Sequence, residues 1–190
     1  MPSTDPSRSD LSRPEDFVRW LRAEGAHHDL VSYVEGRNEN LDAFWATCPR
    51  GDWMLALLAR DVTATETLVA LAAKLAQIAK DQLSEEASLA RDVLAQLAMN
   101  AEIEPSRIAA LEAEAERQAD PAAHHAMLAV LIAARAHEAP LDVPNLVPLL
   151  VQAAVFDAGE CAYMAVIGYV QRQAAEIIRA EQPHLRVSAG

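Results

Sequence analysis

Apolar positions in this chain recur three and four residues apart, and proline, glycine and capping residues interrupt them at short intervals. That pattern is helical, and the interruptions mark where helices begin and end. Ser12-Arg13-Pro14-Glu15 reads as a capping box with proline in the first turn, opening a helix to about Glu24 that Gly25 stops. A short helix from His27 to about Gly36 carries Leu30, Val31 and Val34. Asn40 is placed to cap the next, Leu41 to Thr47, which presents Phe44 and Trp45. Cys48-Pro49-Arg50-Gly51 predicts a sharp turn, and Asp52 an N-cap for a helix bearing Trp53, Met54, Leu57 and Leu58.

Thr63-Ala64-Thr65-Glu66 repeats the capping-box signal ahead of a long stripe of Leu68, Leu71, Ala72, Leu75, Ile78 and Ala79. Ser84 is the expected cap of the following helix, with Glu85 and Glu86 favourably placed against its dipole. Pro105 suits a first turn, in a helix with Ile108 and Leu111. Asp120-Pro121 is the clearest start signal and predicts a helix to about Glu138. Asn145 is the expected cap of another helix, with Pro148 in its first turn. A last helix from about Glu160 to Glu181 places Tyr163, Val166, Ile167, Val170, Ala174, Ile177 and Ile178 on one face, and Pro183 closes it.

The expectation is an all-α domain of about nine or ten helices over residues 12–183, a bundle or a stack of antiparallel helix pairs. It is flanked by a disordered tail at 1–11 and a short tail at 184–190. Composition agrees. About a fifth of the 190 residues are Ala and Gly is scarce, which favours closely packed helices and leaves little to build a sheet.

Charge narrows the partners. The formal net charge of -12 repels a phosphate backbone and an anionic membrane, and attracts a basic protein surface. Between Asp81 and Asp120 ten carboxylates face three arginines. Among them Glu85, Glu86, Asp92, Glu112 and Glu116 are candidates for steering a basic partner, or for a plain solvated face. The start, Met1 to Asp10, is polar and lacks the apolar run of a signal peptide, and the apolar stretch Leu146–Phe156 is too short to span a bilayer. A cytosolic location is expected.

Catalytic chemistry finds little footing. Of six histidines, His27-His28 and His124-His125 are adjacent pairs, whose side chains diverge by about 100° on a helix. Glu24-x-x-His27 is split by Gly25. No metal and no cofactor are expected. Cys48, beside Arg50 and just before a helix start, is the sole candidate nucleophile, and a structural thiol is the expected role. Cys161 is expected in the core. Arg50-Gly51-Asp52 matches an adhesion tripeptide by letter, and in this context is read as chance.

Two of the three tryptophans, Trp45 and Trp53, flank the turn at Cys48–Gly51. They are expected as core anchors, or, for an exposed Trp beside Arg50, as an interface hot spot with Asp52. Trp45-Ala-Thr-Cys-Pro-Arg-Gly-Asp-Trp-Met-Leu55 resembles the segment Trp-x-x-Cys-x-Arg-x-Asp-Trp-Met-Leu of a family of immunity proteins from bacterial polymorphic toxin systems. Ala175-Glu-Ile-Ile-Arg-Ala-Glu-Gln-Pro183 is similar to that family's closing helix. The chain departs at Ala56, where an aromatic is usual in the family. The resemblance implies a helical cytosolic protein that binds and neutralises a toxin domain. The sequence alone therefore leads to a non-enzymatic protein-binding protein, with room for a homodimer through its Ala-rich faces. A helical adaptor with another protein partner is the alternative, and an enzyme or ligand carrier with a polar interior pocket is the alternative of another class.

Overall fold

A computed structural model describes residues 11–60, 65–158 and 162–185. Ten α-helices make up the described chain: α1 (Pro14–Ala23), α2 (His28–Arg37), α3 (Leu41–Thr47), α4 (Gly51–Leu58), α5 (Thr65–Ala76), α6 (Ser88–Ala98), α7 (Pro105–Arg117), α8 (Pro121–Ala134), α9 (Leu146–Ala158) and α10 (Tyr163–Glu181). Two 3-10 segments, Gln77–Gln82 and Pro140–Asn145, join them. The protein is an all-α bundle, and among the described residues there is no strand.

Local signals account for most boundaries. Gly25 takes a positive φ of 64° just past α1, a conformation glycine adopts without a Cβ penalty. Asn40 Oδ1 accepts from the Ala43 amide at 2.9 Å, and Asp120 Oδ1 from the Ala122 amide at 3.1 Å, satisfying first-turn donors that would otherwise lack partners. Asn38, in the left-handed region, ends α2.

Other starts differ from expectation. Arg13, not Ser12, is the N-cap of α1, with no side-chain cap bond. Ser84 does not cap α6. The chain turns through residues 84–87 and the helix begins at Ser88 after Ala87, because Leu83 and Ala87 are drawn into the core. The stripe expected to continue through Ala79 tightens into a 3-10 turn at Gln77, whose Nε2 donates to Leu94 O at 3.1 Å on α6. Asn145 closes a 3-10 segment instead of opening α9. That junction makes Pro140–Ala158 one helical run of 19 residues with mean hydropathy 1.3, a span's length and composition. Its Val143, Leu146, Val147, Leu150 and Ala153 lie in the core. Thr63 of the second capping box, Glu160 and Cys161 lie outside the described residues.

α8 is the centre of the bundle, packed by α5, α6, α7 and α9. Most of its circumference is buried, through Ala122, Ala123, Ala126, Met127, Ala129, Val130, Leu131 and Ala133, and a stripe of His124, His125, Leu128 and Ile132 stays partly exposed, so its apolar residues extend well beyond one face. α10 crosses α9, α4 and α5. Its predicted face is buried only from Val170 onward, and Tyr163 is 50% exposed, because the crossing with α4 lies at Ala174. The core also reaches past the expected domain limits: Leu11 and Leu185 are both buried within it.

Candidate functional site

The segment that joins α3 to α4 is held from beneath by α10. Gly51 is the first residue of α4 and packs so closely that a Cβ there would meet Ala174 Cβ at 2.4 Å. Asp52 is therefore in the first turn of α4 and Arg50 is its N-cap, which corrects the expectation that Asp52 caps. Gly51 enters the helix because only a glycine fits against α10 there. Released from capping, Asp52 pairs with Arg50: Arg50 Nε donates to Oδ1 at 2.9 Å and Nη2 to Oδ2 at 2.5 Å. This two-point pair fixes the guanidinium plane and holds the Arg50 pKa above its ordinary value.

The same guanidinium lies 4.5 Å from the centroid of the Trp53 ring, a cation–π arrangement. Tyr33 of α2 meets the Trp53 ring edge-on at 5.2 Å. Behind it, Phe44, Phe17 and Trp20 continue the aromatic contacts, with centroids 6.3, 5.6 and 6.1 Å apart in turn. An aromatic chain thus runs from the buried face of α1 to Trp53, which is partly buried and packed against the core. Arg50 and Asp52 keep 40% and 18% of their side-chain surface in solvent. Trp45 is the core anchor, 2% exposed, and its Nε1 donates to Gln182 O at 2.8 Å.

Two residues that sequence reasoning missed complete the support. Gln171 Oε1 accepts from the Asp52 amide at 3.2 Å, and Gln171 is the one buried polar residue among those described. Arg179 Nη1 donates to Cys48 O at 2.8 Å. Both lie on α10, about 120 and 130 residues away in sequence. The only available signal was a glutamine set beside Val170 on an otherwise apolar face. Cys48 itself is buried, with Sγ 3.5 Å from Arg50 O, and burial pushes its thiol up to about 11. A thiol so protonated is a poor nucleophile at neutral pH.

The acidic candidates fall into two kinds. Glu112 accepts two bonds from Arg135 at 3.1 and 2.6 Å, and Asp92 lies 3.4 Å from Arg107. Glu85 and Glu86 project from the turn before α6, and Glu116 from the last turn of α7, all exposed. Elsewhere the surface offers a groove of about 520 Å³ between α1 and α2. Glu15, Arg19, Arg22 and Glu35 line it with Val18 and Val34, and an Arg22–Glu35 pair bridges the two helices. Phe156, Tyr163, Met164 and Tyr169, around the end of α9 and the start of α10, are all at least half exposed.

His27 corrects one premise of the sequence reading. It is the N-cap of α2, outside the helix, and the His27 and His28 rings lie 5.0 Å apart, while the His124 and His125 rings, both within α8, lie 5.4 Å apart, so neither pair separates as expected. His124 and His125 sit on α8, bonded through Nδ1 to Ala115 O at 2.8 Å and Pro121 O at 2.7 Å.

Comparison with protein-family models, with curated proteins and with solved structures found no match.

Proposed function

We propose that this chain is a non-enzymatic protein-binding protein, an immunity protein that neutralises a basic toxin domain. The observation that carries the reading is the Arg50–Asp52–Trp53 cluster. It is partly exposed and held in place, its guanidinium oriented by Asp52 and its indole backed by Tyr33 and the core. Arg, Trp and Tyr are the residues that dominate interface energetics, and a pre-ordered anchor loses little side-chain entropy on binding. The net charge of -12, with Glu85, Glu86 and Glu116 exposed, supports a basic partner drawn in by long-range attraction. The apolar interior, with Gln171 as its buried polar group among the described residues, supports binding over chemistry inside the bundle. The Trp-x-x-Cys-x-Arg-x-Asp-Trp-Met-Leu resemblance makes toxin neutralisation the concrete form.

The test is affinity capture from the native cells at low and at moderate salt, followed by co-expression of whatever is captured. A basic protein, released as salt rises and toxic unless this chain accompanies it, supports the proposal. Specific capture of a non-toxic protein favours an adaptor, and no specific capture at either salt removes the protein-binding reading.

A further inference from the structure

We propose that His27, His28 and Asp29 form a surface site for a divalent transition-metal cation of the Zn²⁺ type. One donor atom from each lies within 4.8 Å of the others. The Asp29 carboxylate sits between the two imidazoles, with Oδ2 3.5 Å from His27 Nδ1 and Oδ1 2.9 Å from His28 Nε2. A tetrahedral metal with ligand bonds of about 2.0–2.1 Å holds neighbouring donors about 3.3–3.4 Å apart. The two carboxylate–imidazole separations, to different oxygens, lie near that edge and all three donors lie within 4.8 Å, so rotations of these exposed side chains would close the remaining gap.

The backbone creates this convergence. Three consecutive residues inside a helix would splay their side chains around the axis by about 100° each. Here His27 takes the extended backbone of an N-cap, with φ -56° and ψ 138°, and its ring swings over the first turn. Nδ1 accepts from the Asp29 amide at 3.3 Å, so an ion bound there would take over the lone pair that now caps α2. Two imidazoles and a carboxylate suit Zn²⁺, Cu²⁺ or Ni²⁺ and not Mg²⁺ or Ca²⁺, which take oxygen donors. The remaining coordination positions face solvent, since the three side chains are 66%, 82% and 59% exposed.

Two further features oppose the ion. The amide dipoles at the start of α2 repel a cation, and Arg50 lies within electrostatic reach of Asp29. They set a weaker affinity than a buried site would have, without removing the donors.

The experiment is calorimetric titration of the untagged protein with ZnCl₂, with MgCl₂ as the comparison. Saturable 1:1 binding of Zn²⁺ and none of Mg²⁺ is expected. His28→Gln and Asp29→Asn should each weaken binding by roughly tenfold or more, at least the loss caused by removing a supporting outer-shell group. His27→Asn keeps a capping oxygen while deleting the imidazole, and should do the same with helix content unchanged by circular dichroism. The doubly substituted His124→Gln/His125→Gln protein should bind as wild type. Absence of saturable binding, or equal affinity in His28→Gln, overturns the site. The titration needs no protein partner, so its result is independent of the proposed function.

Discussion

Gly51→Ala is the smallest change that tests whether α4 and α10 cross as closely as the Arg50–Trp53 surface requires. An ideal Cβ at residue 51 falls 2.4 Å from Ala174 Cβ, 3.0 Å from Ala175 N and 3.1 Å from Ala174 C. Non-bonded carbons rest at about 3.5–4.0 Å, so the helices must move apart by about an ångström. No rotamer relieves the clash, because alanine has none and the other atoms are backbone. Replacing glycine inside a helix returns about 0.5–1 kcal/mol, while overpacking a filled core costs about 1–3 kcal/mol. The net loss lies between about 0 and 2.5 kcal/mol, centred on about 1.3 kcal/mol. At about 2–4 °C per kcal/mol for a chain of this size, the midpoint should fall by several degrees. Urea unfolding should show a lower midpoint with an unchanged slope. Adding Ala174→Gly should recover part of the loss, since the contacts with Ala175 N and Ala174 C remain. A Gly51→Ala protein more stable than wild type would refute the close crossing, and with it the reason Asp52 is freed to hold Arg50.

Other consequences are open to direct measurement. Trp45→Phe removes the donor to Gln182 O and leaves that acceptor without its partner, for a loss of about 1–3 kcal/mol in denaturant unfolding; a neutral result would detach Trp45 from the C-terminal segment. Cys48 should resist alkylation near neutral pH in the native protein and react once unfolded, read by peptide mass mapping. Because folding raises its pKa from 9.0 to about 11, the native state keeps a proton that the unfolded state releases, so stability should decline as pH rises from about 9 toward 11. Cys48→Ala should abolish that part of the decline. Glu112 behaves oppositely. The hydrogen bonds and charge of Arg135 lower its pKa, so its contribution is present above the ordinary carboxylate range and fades as pH falls through the lower folded value. NMR titration should find the Glu112 midpoint restored in Arg135→Ala, and an unchanged midpoint would contradict the pair.

The legibility of the sequence followed the range of the interactions. Gly25, Asn40, Pro105 and Asp120 act within one helical turn, and each lies where local rules put it. Asp52 and Ser84 carry equally good capping side chains, yet neither caps. At Asp52 the decision belongs to Gly51 against Ala174, a contact across 123 residues. At Ser84 it belongs to the burial of Leu83 and Ala87. The α10 face was readable by period, but where along it burial begins depends on which helices cross it. The Arg50–Trp53 pairing was in reach of sequence, because the residues are neighbours. Gln171 and Arg179 were not, since nothing local ties them to the turn at Cys48. His27 shows the reverse case: the helix starts one residue later than local rules put it, and His27 becomes the N-cap of α2.

The measurement that bears most directly on the proposed function is the affinity of the purified chain for its captured partner, beside a folded Arg50→Ala/Trp53→Ala variant. If this cluster anchors the interface, the variant should lose at least about 2 kcal/mol, roughly thirtyfold in Kd, with thermal unfolding still cooperative. Equal affinity in the two proteins would place the interface elsewhere on the bundle and contradict the role given to the cluster.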